Sequence, residues 1–102
     1  MEQKYLGEDV KIGLSVTPID DMTLADIDWE IELWCISNKK VTIKKEQAIQ
    51  YDNGEYFITF NTNDVGEGIL QLKITYKIPD EDFPDKVRNE FDIYKIMKIV
   101  KP

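Results

Sequence analysis

Apolar and polar residues alternate one by one along most of this chain. The longest clean run is ILQLKITYKI, in which apolar side chains occupy every second position: Leu70, Leu72, Ile74, Tyr76 and Ile78. Successive side chains of a β-strand point to opposite faces, so a period of two is typical of a strand with one buried and one solvated face. We therefore expect this segment to be a central strand of a sheet.

Shorter segments repeat the pattern. In DVKIGLSVT and KVTIK the apolar positions are Val10, Ile12, Leu14, Val16, Val41 and Ile43. In IDWEIELWC one face would carry Ile27, Trp29, Ile31, Leu33 and Cys35. Each segment is predicted to be a half-buried strand, and Trp29 is the candidate tryptophan of the core.

Turn residues separate these strands. In YDNGEYFITF, Asn53 and Gly54 tolerate the positive φ angles of a tight hairpin, whose arms we expect at 47–52 and 55–60. Ser37 and Asn38 indicate another turn.

The C-terminal segment VRNEFDIYKIMKIV is less regular. Phe91 and Ile93 alternate with polar residues, but the apolar residues after position 95 break the phase. A bulged strand suits the β-branched content, and a short helix is the alternative.

About seven short strands separated by turns predict an all-β fold, an immunoglobulin-like β-sandwich of antiparallel strands. The 102 residues suffice for one hydrophobic core, so we expect a single domain spanning residues 1–102. Cys35 is the only cysteine, which excludes the disulfide within one chain that joins the two sheets of many such domains.

The charge balance argues against polyanionic partners. The chain has 20 acidic and 13 basic residues, a net charge of −7, and its lysines are scattered, so we expect no nucleic-acid binding. No apolar run approaches the length of a membrane span, and the N-terminus lacks the apolar core of a signal peptide. We therefore expect no membrane association and a cytoplasmic location on synthesis.

Catalytic chemistry has few candidates. There is no histidine, and Cys35 falls on an apolar strand face, so serine and cysteine triads cannot form within one chain. The acidic residues cluster in turns and on solvated faces, where nothing raises a carboxyl pKa. We expect no enzyme activity, no cofactor and no metal site.

The stretch IPDEDFPD is the densest acidic segment. We consider it a candidate acidic loop with Asp80, Glu81, Asp82, Phe83 and Asp85 as its possible functional residues. Asp80 and Asp82 have the spacing of calcium ligands, but the glycine and the closing glutamate of a calcium loop are missing. The alternative is a rigid connection between strands, held against the protein by Phe83.

Two aromatic residues fall on the predicted solvated faces of their strands. If those strands are neighbours, Trp34, Ile36 and Phe57 would form a patch suited to a protein partner. The alternative is that the C-terminal segment covers this face with Tyr94 or Ile96. We include Tyr94 among the candidate interface residues.

The order of several segments carries a family resemblance: LGEDVKIGLSVTP, MTLADIDWEIELW and DNGEYFITFNTNDVGEGILQLKITY. It resembles immunoglobulin-like domains of phage and prophage structural proteins, such as the N-terminal domain of phage baseplate upper proteins. The resemblance implies a domain that assembles and positions other proteins, with no catalytic residues, and it implies association with a virion.

The leading hypothesis is therefore a non-enzymatic structural or adaptor domain that works through self-association or a protein partner. A small-ligand or carbohydrate-binding module is the alternative, with Trp34, Phe57 and Tyr94 as a stacking platform. A calcium-dependent module using the acidic loop is the third hypothesis.

Overall fold

The structure is a computed structural model, which describes residues 1–15, 18–36, 39–52 and 54–102. In chain order its strands are β1 (Gln3–Tyr5), β2 (Asp9–Leu14), β3 (Asp28–Trp34), β4 (Lys40–Lys44), β5 (Ile49–Gln50), β6 (Tyr56–Asn61), β7 (Gly68–Pro79) and β8 (Val87–Val100). Its helical segments are short 3₁₀ turns, Lys45–Gln47 and Thr62–Asp64. The all-β prediction is confirmed.

The strands form two sheets. The larger has five strands in the order β1-β8-β7-β3-β4, and the smaller has three in the order β2-β6-β5. The pairings are antiparallel except that of β1 with β8, which is parallel. The prediction of antiparallel strands alone is therefore wrong at β1. That strand has only three residues, too few for alternation to reveal it.

Buried side chains of both sheets form one apolar cluster. Trp29, 1% exposed, packs edge-on against Tyr56 of the smaller sheet, with ring centroids 5.2 Å apart. The predicted buried face of β3 and its flanking residues is confirmed, and so is the central position of β7, whose alternate residues from Leu70 to Ile78 are all buried.

The C-terminal segment is a bulged strand, as the sequence predicts. Leu70 pairs with Met97 and Gln71 with Lys95, so Ile96 is an extra residue in β8. A bulge shifts the alternation of a strand by one position, which explains why the apolar pattern breaks there. The helix alternative is wrong.

The predicted hairpin is present, with a shorter first arm. Only Ile49 and Gln50 pair with β6, because the preceding residues form a 3₁₀ turn in which the Gln47 side chain accepts a hydrogen bond from the Lys44 backbone amide at 2.8 Å. Some of the residues on which predictions were made lie outside the described ranges: Val16, Ser37, Asn38 and Asn53.

Candidate functional site

The acidic loop 80–86 is a folded connection between β7 and β8. The Asp80 amide donates to the Lys86 carbonyl at 3.0 Å, and the Lys86 amide donates to the Phe83 carbonyl at 2.9 Å. The Asp80 side chain accepts a further hydrogen bond from the Asp82 amide at 3.0 Å. Phe83 is 41% exposed, so its ring is partly covered by the protein.

Arg88, the second residue of β8, ties this loop to its surroundings. Its guanidinium donates to Asp20 at 2.7 Å, to Asp80 at 2.6 Å and to Glu90 at 2.7 Å. Hydrogen bonds with Asp20, then Asp80, and more weakly Glu90 raise the pKa of Arg88, so it stays charged. The loop is therefore anchored by the arginine that follows it in β8.

Metal binding was one hypothesis for this loop. The Asp80 carboxylate forms a salt bridge with Arg88, and the Glu81 carboxylate lies 3.6 Å from the ammonium of Lys86. Asp82 and Asp85 are exposed. Within the described ranges, no three acidic or cysteine side chains converge in the way that a metal ion requires.

The candidate aromatic residues do not share a surface. Trp34 lies in β3, on the outer face of the larger sheet, between Lys40 and Gln71 in the register. Phe57 lies in β6, opposite Gly13 in the smaller sheet. Because β3 and β6 belong to different sheets, the condition for a joint patch of Trp34 and Phe57 is not met.

Ile36 and Tyr94 are also separate. Ile36 follows β3 and is 89% exposed. Tyr94 lies in β8 opposite the buried Leu72, so it is on the core-facing side of the larger sheet, and it is 45% exposed. A carbohydrate platform needs its rings on one surface, and the rings of Trp34, Phe57 and Tyr94 lie on different surfaces.

Phe57 has instead a local partner that the sequence did not suggest. Its ring lies 4.4 Å from that of Tyr51, centroid to centroid, and the Lys11 ammonium sits 4.7 Å and 4.9 Å from the two rings. Lys11 also contacts the Tyr51 hydroxyl. The lysine covers both rings, so this cluster is largely satisfied by its own contacts.

Another exposed feature is the first half of β8. Every residue of 89–95 is exposed, although the segment pairs with the central strand β7 along its whole length. We call residues 89–95 the open segment. On the outer face it carries Phe91, 57% exposed, and Ile93, 52% exposed. The Lys73 ammonium lies 4.5 Å from the centroid of the Phe91 ring, which nevertheless stays more than half exposed.

The core-facing side of the open segment is uncovered as well. Glu90, Asp92 and Tyr94 lie opposite Tyr76, Ile74 and Leu72, all of which are buried. At the open segment the buried side chains belong to β7, and β8 joins the core only after the bulge, at Met97 and Ile99. The alternation of Phe91 and Ile93 is visible in the sequence. That they lie on the outer face follows from the register with β7, which the sequence does not show.

A hydrogen bond between side chains joins the open segment to the core. The Tyr76 hydroxyl donates to Asp92 at 3.1 Å. Burial, and then the contact with the Asp92 carboxylate, raise the pKa of Tyr76, so it remains a neutral donor. Burial also raises the pKa of the Cys35 thiol, which keeps this cysteine protonated and a poor nucleophile at neutral pH.

The comparisons with known proteins add no relative. No family model, no curated protein and no solved structure matches the chain. The described part of the chain contains no helix long and apolar enough to cross a membrane.

Proposed function

We propose that the protein is a non-enzymatic assembly domain that docks another protein on the open segment of β8. The observation that carries this proposal is the exposure of Phe91 and Ile93, which are alternate residues on the outer face of one strand. Large apolar side chains grouped on a surface mark interaction sites, whereas scattered ones are ordinary. Aromatic residues are also enriched at the centres of protein interfaces.

We also infer that the domain is an immunoglobulin-like β-sandwich. In such domains the first, second, fifth and fourth strands of the topology form one sheet, and the third, sixth and seventh form the other. Here β1 departs from that arrangement, since it pairs with β8 of the other sheet. The order β2-β6-β5 beside β8-β7-β3-β4 supports that arrangement when β4 is counted as the additional strand of the variable type.

The open segment is suited to docking because its geometry is fixed before a partner arrives. It pairs with β7 from Val87 to Lys95, and Arg88 anchors its beginning to two loops. A preformed strand loses little conformational freedom on binding, so more of the interaction free energy remains as affinity. Burial of each large apolar side chain contributes roughly 1.5–3 kcal/mol.

A role in assembly is also what the resemblance to phage and prophage structural domains implies. Such a role needs no catalytic residue, and the titratable groups with shifted pKa values in this chain have structural explanations. Tyr76 bonds Asp92, Arg88 bonds the surrounding carboxylates, and Cys35 is packed in the core.

The proposal can be tested in cells that naturally express the protein. Ile93 is replaced by a photo-crosslinking amino acid, and Thr59, exposed on β6 of the other sheet, is replaced by the same amino acid as the control. We expect discrete protein adducts, identified by mass spectrometry, from position 93 and none of them from position 59. A second copy of the chain among the adducts would also support assembly. Identical adducts from both positions, or none from position 93, would refute the proposal.

A further inference from the structure

The open segment is also a free sheet edge. β7 pairs with one side of β8, and β1 pairs with the other side only at its end, from Lys98 to Val100. Within the described ranges, no strand pairs with that other side between Val87 and Lys95. Backbone groups along an unpaired edge can accept a further strand.

The same edge already accepts one strand. β1 lies parallel to β8, and the Lys98 amide donates to the Glu2 carbonyl at 2.9 Å. The bulge at Ile96 separates this occupied part of the edge from the free part. A strand added along 89–95 would thus lie in line with β1 and would extend the sheet in the same plane.

The two faces of the open segment differ in chemistry. Phe91 and Ile93 lie on the outer face, and Glu90 and Asp92 lie on the core-facing side. A strand paired with this edge would place alternate side chains beside these two sets. Its residues on the outer face should therefore be apolar.

The residues on the core-facing side should be basic. Glu90 and two loop carboxylates, those of Asp20 and Asp80, surround the Arg88 guanidinium, and Asp92 follows Glu90 on the same face. Three carboxylates around one guanidinium, with the Asp92 carboxylate further along the same face, leave a net negative charge at neutral pH. Opposite charges directly across two strands stabilise their pairing, and like charges oppose it.

The acidic side disfavours a second copy of this chain as the added strand. In an antiparallel pair of two β8 strands centred on Phe91, Glu90 of each copy would face Asp92 of the other. In a pair centred on Asp92, the two Asp92 side chains would face each other. Inward-pointing charges of this kind are a recognised protection of sheet edges against self-pairing. The whole chain is also acidic, with a net charge of −7.

We propose that the open segment binds an extended segment of a partner protein in which Lys or Arg alternates with Val, Ile or Leu, and that this segment adds to the larger sheet as a further strand beside β8. The proposal rests on the docking function proposed above and specifies the partner's chemistry. Backbone hydrogen bonds along the edge supply affinity. The alternation of basic and apolar side chains sets the register, since a slip by one residue would put basic side chains on the apolar face.

The test uses the full-length protein labelled with ¹⁵N and a short capped peptide in which Lys alternates with Val. We expect the amide signals of 89–95 to shift on titration, and alternate amides of this segment to become protected from hydrogen exchange. A second peptide with Glu in place of every Lys has the same length and apolar residues. Its affinity should be lower by about tenfold, because each basic residue is replaced by one that the acidic side repels.

Two protein variants provide matched controls. Glu90→Gln with Asp92→Asn neutralises the core-facing side and should reduce the preference for the Lys peptide to less than about threefold. Asp82→Asn with Asp85→Asn removes the same charge from the exposed loop and should leave the preference unchanged. Two further peptides carry N-methyl groups on the backbone amides of one edge of the strand or of the other edge, and both keep their side chains. At least one of them should fail to bind, because the methylated edge cannot donate hydrogen bonds to β8.

Several outcomes would overturn this inference. The first three are equal affinity for the Lys and Glu peptides, shifts of the amide signals without protection from hydrogen exchange, and binding by both N-methylated peptides. The other two are no binding at millimolar peptide and dimerisation of the protein itself through β8. In each case, partner adducts from position 93 in the cross-linking experiment would still support the docking function. A failure of the docking function can therefore be distinguished from a failure of the strand-addition proposal.

Discussion

The indole Nε1 of Trp29 donates a hydrogen bond to the backbone carbonyl of Leu24 at 3.0 Å, and both residues are buried. The bond fastens the segment before β3 over the core. We predict that Trp29→Phe destabilises the fold by about 2 kcal/mol or more, because it leaves a buried carbonyl without a donor and leaves part of the indole volume empty. Equilibrium urea unfolding followed by circular dichroism measures the change.

Trp34→Phe is the matched control for that variant. Trp34 lies in the same strand but on the outer face, where it is half-buried. Its substitution should change the free energy of unfolding by less than about 1 kcal/mol. Equal losses for the two variants would contradict the assignment of Trp29 as the core tryptophan.

Gly13 lies directly against the Phe57 ring, which covers it from the neighbouring strand. A Cβ atom at position 13 would come within 3.0 Å of the ring carbon Cε1. We predict that Gly13→Ala destabilises the protein by about 1 kcal/mol, because the ring has to move away from Tyr51 and Lys11. In a Phe57→Ala background the same change should stabilise by roughly 0.5–1 kcal/mol, since alanine restricts the unfolded chain more than glycine does.

A double-mutant cycle read by thermal unfolding tests this pair. The sign of the Gly13→Ala effect should reverse when Phe57 is absent. The same sign and size in both backgrounds would show that the ring does not restrict position 13.

The strands and their buried faces could largely be predicted from the sequence. Alternation identifies the buried side of β3 and β7, because the core needs apolar side chains at every second position of a half-buried strand. The residue pair Asn53 and Gly54 predicts the hairpin, and the break in the apolar alternation predicts the bulge near Ile96. These are local signals, within a few residues along the chain.

The neighbours of each strand could not be predicted in this way. Trp34 and Phe57 both point outwards, as alternation indicates, but whether they meet depends on which sheet holds each strand. The same limit hides β1, which pairs with residues about 95 positions later in the chain. The core-facing residues of the open segment are exposed although β8 joins the core after its bulge. No local pattern in the segment predicts this difference.

The loop before β3 contains a carboxylate whose ionised form is stabilised by the fold. Asp26 accepts hydrogen bonds from the Thr23 amide at 2.8 Å and the Thr23 hydroxyl at 3.0 Å. The backbone hydrogen bond, then the side-chain one, lower the pKa of Asp26. A folded-state pKa below the unfolded value of about 3.9 adds stability above that pH, and this stability is lost as the pH falls through the folded pKa.

We therefore predict that Asp26→Asn is less stable than the wild type at neutral pH. The difference should narrow as the pH falls below about 4, because the wild-type carboxyl then becomes protonated. Urea unfolding at a series of pH values measures both effects. Asp85→Asn removes an equal charge from an exposed loop position and serves as the control. A difference for Asp26→Asn that stays constant down to acidic pH would rule out the ionised carboxylate as its cause.

Thr62 is a fully buried polar residue that links the N-terminal strand to the rest of the fold. Its hydroxyl accepts a hydrogen bond from the Gly7 amide at 2.7 Å and donates one to the Tyr5 carbonyl at 3.0 Å. Thr62→Val keeps the shape of the side chain but removes the acceptor of the Gly7 amide and one of the two donors to the Tyr5 carbonyl, which also accepts from the Glu8 amide at 3.1 Å. We predict a loss of about 1–3 kcal/mol in the free energy of unfolding.

The loss should be accompanied by faster hydrogen exchange of the amides in β1, because the bonds to Thr62 hold the turn that follows this strand. Thr59→Val is the matched control, since Thr59 lies in the neighbouring strand β6 with its side chain exposed. Its effect should stay within about 0.5 kcal/mol. If Thr62→Val were as stable as Thr59→Val, or if β1 exchanged no faster, then the hydroxyl would not be what holds β1 against the end of β8.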